Sequence, residues 1–213
     1  MSLAIGKRLT ADQRLQKAVI DIMGHPEFIA LSGVMMIGKR AVVDGLPTAC
    51  TNGKDELYGR EFVDKLTDAG LRFLVLHECF HKMYKHLTTW RSLYLRNQQK
   101  ANRACDYVIN IKLVDTDACK NGWISMPEGG LVDEQYRGMN AKQVWDLLPD
   151  PPQSGGGGSG GAGSSGGSGG NGGFDEHDWD GAQEISKEEQ EALAKEIDEA
   201  IRQGAVLAGK TGT

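Results

Sequence analysis

Two histidines and a glutamate are the residues of this chain best placed to do chemistry. His77, Glu78 and His81 form a His-Glu-x-x-His sequence. On an α-helix, side chains four residues apart project from the same face, one turn from each other. Both imidazoles can therefore bind one tetrahedral zinc ion, and Glu78 beside them can act as general base toward a water on the metal. The spacing predicts zinc-dependent hydrolysis, with peptide bonds as the expected substrate.

The flanking residues favour a metal site over the alternative of two solvated surface histidines. They are apolar, so the helix is expected to be half buried: Val75, Leu76, Cys79 and Phe80. Buried imidazoles need polar partners, and a metal ion supplies one. Cys79 points away from the metal on this helix and is predicted to be a small core residue.

A third ligand is predicted on a later helix, which should run from Gln98 to about Val114. Its polar residues repeat every four positions and so lie along one stripe: Asn102, Asp106 and Asn110. The stripe is either a solvated face or a face turned toward the metal. Asp106 follows His81 by 25 residues, which is enough for the chain to return as an antiparallel helix. Its carboxylate would complete a site of two histidines and one carboxylate, with the fourth position open to water.

His86 is the competing third ligand. It lies nine residues after His77 and thus about 180° round a straight helix. It could bind the same metal only if the helix broke after His81, and residues 82–85 favour helix. We therefore expect the metal helix to run from about Asp68 to Leu87, with His86 as a supporting or structural residue.

Caps and apolar periodicity predict the remaining elements. Helices are expected at 11–23, with Thr10 and Gln13 as a capping box, at 61–67 and at 141–148. Strands are expected at 41–43 and 46–51, while the apolar run 28–37 fits either a helix end or a strand. The expected fold is α+β, with a small sheet from residues 34–51 lying over two antiparallel helices that carry the metal.

Composition narrows the classes of function. The chain has 213 residues and a net charge of −5 without a basic patch, which disfavours nucleic acid as a partner. Its apolar runs are shorter than the ~18 residues of a membrane span, and its N-terminus lacks the ordered regions of a signal peptide. Four scattered cysteines without a Cys-x-x-Cys pair are typical of free thiols. We expect a cytoplasmic protein, in the host cytoplasm if a phage encodes it.

Three segments are predicted along the chain: a catalytic domain at 1–152, a linker at 153–173 and a tail at 174–213. Between 155 and 173, 13 of 19 residues are glycine, a composition typical of a flexible coil. Ser186 and Glu189 form a capping box for a tail helix to about Gly204, whose apolar stripe should dock on the same domain or on a partner. Alternatively, His177 or its acidic neighbours could enter the metal site and restrain it.

Several separated motifs also resemble one family. In chain order they are Thr51-Asn-Gly-Lys54, Leu57-Tyr58, the histidine motif with His86, Ala104-Cys-Asp106-Tyr-Val-Ile-Asn110, Met126-Pro-Glu-Gly-Gly-Leu131 and Tyr136-Arg-Gly138. Residues 8–150 are similar to the putative metallopeptidase domain of VWA-like (von Willebrand factor A-like) domain-containing proteins of bacteria and phages. The resemblance implies a zincin-like fold, zinc at His77 and His81, Glu78 as base, and Asp106 in or beside the site. The chain departs from this family in having a linker and tail where many members have a VWA-like domain.

The function expected from these observations is a zinc-dependent peptidase that acts on a peptide or protein. In the zincin-like enzymes that the chain resembles, the edge strand of the sheet binds an extended substrate through main-chain hydrogen bonds, and the strand at 46–51 is the candidate for it here. Tyr107, Tyr136 and His86 are all candidates for the donor that stabilises the oxyanion. One alternative is a non-catalytic, zinc-stabilised interaction module that works through the acidic tail, and a weaker one is hydrolysis of a non-peptide substrate.

Overall fold

The computed structural model of the chain describes residues 8–150 and 186–211. The predicted linker at 153–173, and the idea that His177 restrains the metal site, therefore fall outside the described residues. Within the described ranges the fold is α+β, with ten α-helices and one three-stranded sheet. The sequence predicts this mixed class correctly.

Helices make up most of the fold, and the first one begins at its predicted cap. Helix α1 spans Ala11–Met23, and Thr10 and Gln13 form the expected capping box. The other helices are α2 (Ser32–Met35), α3 (Arg60–Lys65), α4 (Asp68–Met83), α5 (His86–Thr89), α6 (Arg91–Arg96), α7 (Gln98–Val114), α8 (Asp117–Lys120), α9 (Ala141–Leu147) and α10 (Lys187–Thr211). Short 3₁₀ turns lie at Ile29–Leu31 and Glu134–Tyr136. The apolar run 28–37 is therefore helical and not a strand, and the sheet does not begin near Val34.

The sheet consists of β1 (Arg40–Val43), β2 (Ala49–Thr51) and β3 (Glu56–Gly59), in the order β1-β3-β2. The central strand β3 pairs parallel with β1 and antiparallel with β2. The predicted strands at 41–43 and 46–51 are confirmed as β1 and β2, although β2 is shorter. The sequence does not predict β3, because it begins with a charged residue and ends with glycine, both of which are depleted in strands.

Helix α4 carries the histidine motif and ends earlier than the sequence predicts. Thr67 caps its first turn by accepting a hydrogen bond from the backbone N–H of Gly70. The helix ends at Met83, since Lys85 adopts a left-handed backbone with φ 53° and ψ 40°. The chain turns there, and α5 begins at His86. The expectation of one continuous helix to about Leu87 is therefore wrong.

Helix α7 runs antiparallel to α4, as the sequence predicts. His77 meets Asn110, whereas His81, one turn later on α4, meets Asp106, one turn earlier on α7. The contacts thus advance in opposite directions along the two helices. Helix α7 also contributes residues to both apolar clusters of the core, so it is anchored on two sides.

Helix α10 packs on the body of the fold, against the 3₁₀ turn at Ile29–Leu31 and α2. Ile197 is buried in the larger apolar cluster, with Leu193 and Ile201 partly buried beside it. The helix continues past Gly204 to Thr211, because a glycine inside a helix weakens it without ending it. Across residues 8–150 and 186–211, no helix combines the length and the apolar character needed to span a bilayer.

Candidate metal centre

Three side chains on α4 and α7 converge on one point. The Nε2 atoms of His77 and His81 are 3.0 Å apart, and Oδ1 of Asp106 lies 3.6 Å from the first and 3.4 Å from the second. One ligand atom from each residue lies within 4.8 Å of the others. In the part of the chain that the structure describes, no other group of histidine, cysteine and acidic residues meets this condition. The structure thus brings together the three ligands that the sequence proposes.

Asn110 fixes the orientation of the first imidazole. Its amide nitrogen donates to the backbone oxygen of Leu131 at 3.2 Å, so its amide oxygen is the atom that faces His77. Nδ1 of His77 lies 2.9 Å from that oxygen and must therefore carry the proton. The lone pair of Nε2 is then directed toward the metal position, an arrangement that metal-binding histidines commonly use.

His86 supports the second imidazole. The Nδ1 atoms of His86 and His81 are 3.1 Å apart, so one donates a hydrogen bond and the other accepts it. When Nδ1 of His81 is the donor, its Nε2 is unprotonated. The lone pair of that Nε2 is then available to a metal ion held between His81 and Asp106. The His86 ring is buried and stacks on Tyr84 with a centroid separation of 5.3 Å. The structure places His86 outside the converging ligand group and in contact with one of its members.

Glu78 follows His77 on α4 and is fully buried. It lies near Tyr58 of β3. Burial, followed by the charges of Glu56 and Glu78, raises the pKa of the Tyr58 hydroxyl well above its ordinary value. Tyr58 therefore keeps its proton and donates a hydrogen bond to Oε2 of Glu56 at 2.8 Å. Tyr58 of the central strand therefore lies within electrostatic range of the glutamate of the motif.

An ionic network that the sequence analysis does not predict adjoins Tyr58. Glu56 accepts hydrogen bonds from Nζ of Lys82 at 2.7 Å and from Nε of Arg40 at 2.6 Å. Lys82 is fully buried and also donates to the backbone oxygen of Ile37 at 2.6 Å. Burial acts to raise the pKa of Glu56, but the charges of Lys82 and Arg40 outweigh it and lower that pKa. The carboxylate is thus held ionised between two cations.

Helix and strand periodicity could have indicated this network. Lys82 lies four residues after Glu78, on the same face of α4, and Glu56 and Tyr58 point to the same side of β3. Two cations share the single carboxylate of Glu56, so the group has one excess positive charge.

The other sequence candidates belong to the apolar clusters of the core. Tyr107 and Tyr136 pack edge to face with ring centroids 4.8 Å apart, and both belong to the smaller apolar cluster. Cys79 lies in the larger apolar cluster, as the sequence predicts. Burial raises the pKa of the Cys79 thiol to about 12, so it remains neutral and is a poor metal ligand.

The whole centre is enclosed. His77, Glu78 and His81 have no exposed surface, and Asp106 is 2% exposed. Burying charged and polar groups together is costly unless they are hydrogen-bonded, paired or bound to a metal. Two imidazole nitrogens and one carboxylate oxygen form a donor set that suits zinc with three protein ligands. The residues present therefore fit a metal ion.

Comparison with known protein families gives a match that covers most of the chain. The model of a family described as a putative metallopeptidase domain matches residues 10–213. The match includes α10, so it extends well beyond the stretch 8–150 in which the sequence motifs lie. Among curated proteins and among solved structures, the chain has no match.

Proposed function

The chain belongs to the family of putative metallopeptidase domains, and on this basis we propose that it is a zinc-dependent peptidase with Glu78 as its general base. The observation that carries the proposal is the convergence of His77, His81 and Asp106 within 4.8 Å, next to a buried glutamate. Family membership makes metal-dependent proteolysis the expected activity. Zinc as the metal and Glu78 as the base are the finer parts of the proposal.

Each proposed ligand has its own role. Nε2 of His77 and of His81 would hold the ion through neutral imidazoles, and Asp106 would contribute a negative charge. When bound, zinc supplies a Lewis acid that polarises a carbonyl group and lowers the pKa of a coordinated water to about 7. Three protein ligands leave one position for water or substrate, which is typical of catalytic zinc sites.

Glu78 moves the proton in this proposal. Its carboxylate accepts a proton from the attacking water and returns it to the leaving amine. Glu78 directly follows His77 on α4, and like both histidines it has no exposed surface. The enclosure excludes bulk water, which strengthens the interactions between charges in the site.

An extended peptide is the substrate that we propose. Within the described residues, β2 pairs with β3 on one side and with no strand on the other. Such an edge can accept a peptide as an additional strand through main-chain hydrogen bonds, but Ala49 and Thr51 of β2 have no exposed surface, so the groups that cover them must first move aside. Strand β2 also contacts α4, so a peptide added there would run close to the helix that carries both histidines. Because the centre is enclosed, substrate binding must displace side chains that cover it.

The same enclosure favours a second candidate function, a zinc-stabilised module without catalysis, because structural zinc sites are closed. Structural sites almost always have four protein ligands. Three ligand residues meet here, counting the residues that the structure describes. The number of ligands is therefore the reason for preferring the catalytic proposal.

The deciding experiment compares zinc-loaded wild type with Glu78→Gln. Both proteins should fold and bind zinc, while Glu78→Gln should cleave peptides about 100- to 10,000-fold more slowly. Cleavage of a peptide library is followed by mass spectrometry, with Glu191→Gln on the exposed face of α10 as control. Equal cleavage by wild type and Glu78→Gln would exclude Glu78 as the base. No cleavage by the zinc-loaded wild type would favour the structural module.

A further inference from the structure

The backbone turn at Lys85 is held in an unfavourable conformation. Among the described residues, Lys85 is the only non-glycine residue with a positive φ, at 53°, a conformation that costs free energy for an L-residue. The turn brings His86 back against His81, with their Nδ1 atoms 3.1 Å apart. Such a turn persists only when surrounding contacts hold it. The contacts of Lys85 therefore influence the position of His86.

Helix α10 supplies contacts of this kind. Nζ of Lys85 lies 2.6 Å from Oδ1 of Asp198 on α10. The buried Ile197, on the same helix, lines a crevice together with Lys85 and Leu87. Lys85 and Leu87 are the residues directly before and after His86 in the sequence. One face of α10 therefore lies against the turn that carries His86.

Two close contacts fix the position of α10 on the body of the fold. An added Cβ at Gly204 would lie 1.8 Å from the backbone oxygen of Ala30. One turn earlier on α10, Ala200 packs against Gly33, where an added Cβ would lie 3.1 Å from the Cβ of Ala200. Neither contact involves a proposed ligand or His86. A side chain at Gly204 would therefore move α10 without altering the metal centre directly.

We propose that α10 is a positioning element of the metal centre. Its packing and the ion pair between Asp198 and Lys85 stabilise the turn at Lys85. That turn positions His86, and His86 orients the imidazole of His81 through the contact between their Nδ1 atoms. The inference rests on the metal site of the proposed function but does not depend on peptide cleavage. The inference predicts that the affinity for zinc depends on the position of α10 against Ala30 and Gly33.

Gly204→Ala and Gly209→Ala, made in the full chain, form a matched pair of variants. Both replace a glycine of α10 by alanine, so both raise the helix propensity in the same way. At Gly209 nothing lies within 4 Å of the added methyl group, whereas at Gly204 it meets the backbone of Ala30. Zn²⁺ affinity is measured by competition with a chromophoric chelator, and the visible spectrum of bound Co²⁺ reports the ligand geometry.

We expect Gly204→Ala to bind Zn²⁺ about 3- to 30-fold more weakly than wild type and to alter the Co²⁺ spectrum. Gly209→Ala should match the wild type. His86→Leu has a side chain of similar volume but cannot form the hydrogen bond to His81. This variant should bind Zn²⁺ about 10- to 100-fold more weakly. Because α10 acts through His86, adding Gly204→Ala to His86→Leu should change the affinity by less than about twofold.

A purely structural role for α10 would give a different result. Gly204→Ala would then lower thermal stability but leave the zinc affinity of the folded protein unchanged, and this outcome overturns the inference even where wild type binds zinc. If Gly204→Ala does not fold, Ile197→Ala replaces it, because it removes volume instead of adding a clash, and the same loss of affinity is expected. A wild type that binds no zinc overturns both this inference and the proposed function.

Discussion

Asn110 of α7 and His77 of α4 are joined by a hydrogen bond of 2.9 Å between the amide oxygen and Nδ1. Partners of this kind orient a ligand imidazole, and their loss typically weakens metal binding about 10- to 100-fold. We expect Asn110→Ala to bind Zn²⁺ more weakly by this factor, measured by competition titration. Asn121→Ala, at an exposed asparagine after α8, is the control and should bind as wild type does. Equal affinities of the two variants would show that Asn110 does not orient the ligand.

Asp106→Asn tests the third ligand with almost no change of shape. The amide removes the negative charge that the carboxylate adds to two neutral imidazoles. Zinc affinity should therefore fall by more than about 100-fold, the upper bound for a partner outside the ligand set. Calorimetric titration measures the loss, with Asp115→Asn at the end of α7 as control. An affinity close to that of wild type would remove Asp106 from the ligand set.

Removal of the metal should destabilise the fold, because the ligands are enclosed within it. An ion that binds only the native protein stabilises it by about 4 kcal/mol at a concentration a thousandfold above its Kd. For a chain of this size, about 1 kcal/mol shifts the Tm by about 2–4 °C. A chelator should therefore lower the Tm of the zinc-loaded protein by roughly 8–16 °C. His81→Ala should show almost none of this shift, and a chelator that leaves the wild-type Tm unchanged would contradict the metal site.

Glu56→Gln should weaken the fold and change its response to acid. Burial acts to raise the pKa of Glu56, but Lys82 and Arg40 lower it below its ordinary value of 4.5. Between the native pKa and 4.5, the unfolded chain binds more protons than the folded one, so the free energy of unfolding rises with pH. This stabilisation is fully present above pH 4.5 and is lost as the pH falls through the native pKa.

Glu56→Gln removes that dependence and leaves the buried Lys82 and the partly buried Arg40 without their shared carboxylate, at a cost of about 3–5 kcal/mol near neutral pH. Urea unfolding between about pH 3 and pH 7 measures both effects. The control Glu191→Gln is exposed and should change the free energy of unfolding by no more than about 0.5 kcal/mol. A similarly small change in Glu56→Gln would show that the buried ion pairs do not stabilise the fold.

The ligands could be predicted because helix geometry alone places them. The spacing of His77 and His81, and the repeat of Asp106 and Asn110, require only that α4 and α7 be helices. The two helices pack together because both bury apolar residues in the larger apolar cluster. Local sequence likewise identified the helix cap at Thr10.

Features set by tertiary contacts could not be predicted in this way. The left-handed turn at Lys85 has no local sequence signature, since residues 82–85 favour helix, and it is this turn that brings His86 to His81. Strand β3 contains a charged residue that becomes favourable only through Lys82 and Arg40, which are distant in sequence. The place of α10 likewise depends on a close approach to Ala30 that no periodicity reveals.

The enclosure of the centre has a kinetic consequence. With no exposed surface on either histidine and 2% on Asp106, an ion cannot leave by breaking its bonds alone, because the surrounding side chains must first move aside. The rate of metal exchange is then proportional to the population of locally opened molecules. The protein would retain its ion for as long as the packing around α4 and α7 stays closed. The rate at which a chelator removes the ion would then be limited by that opening.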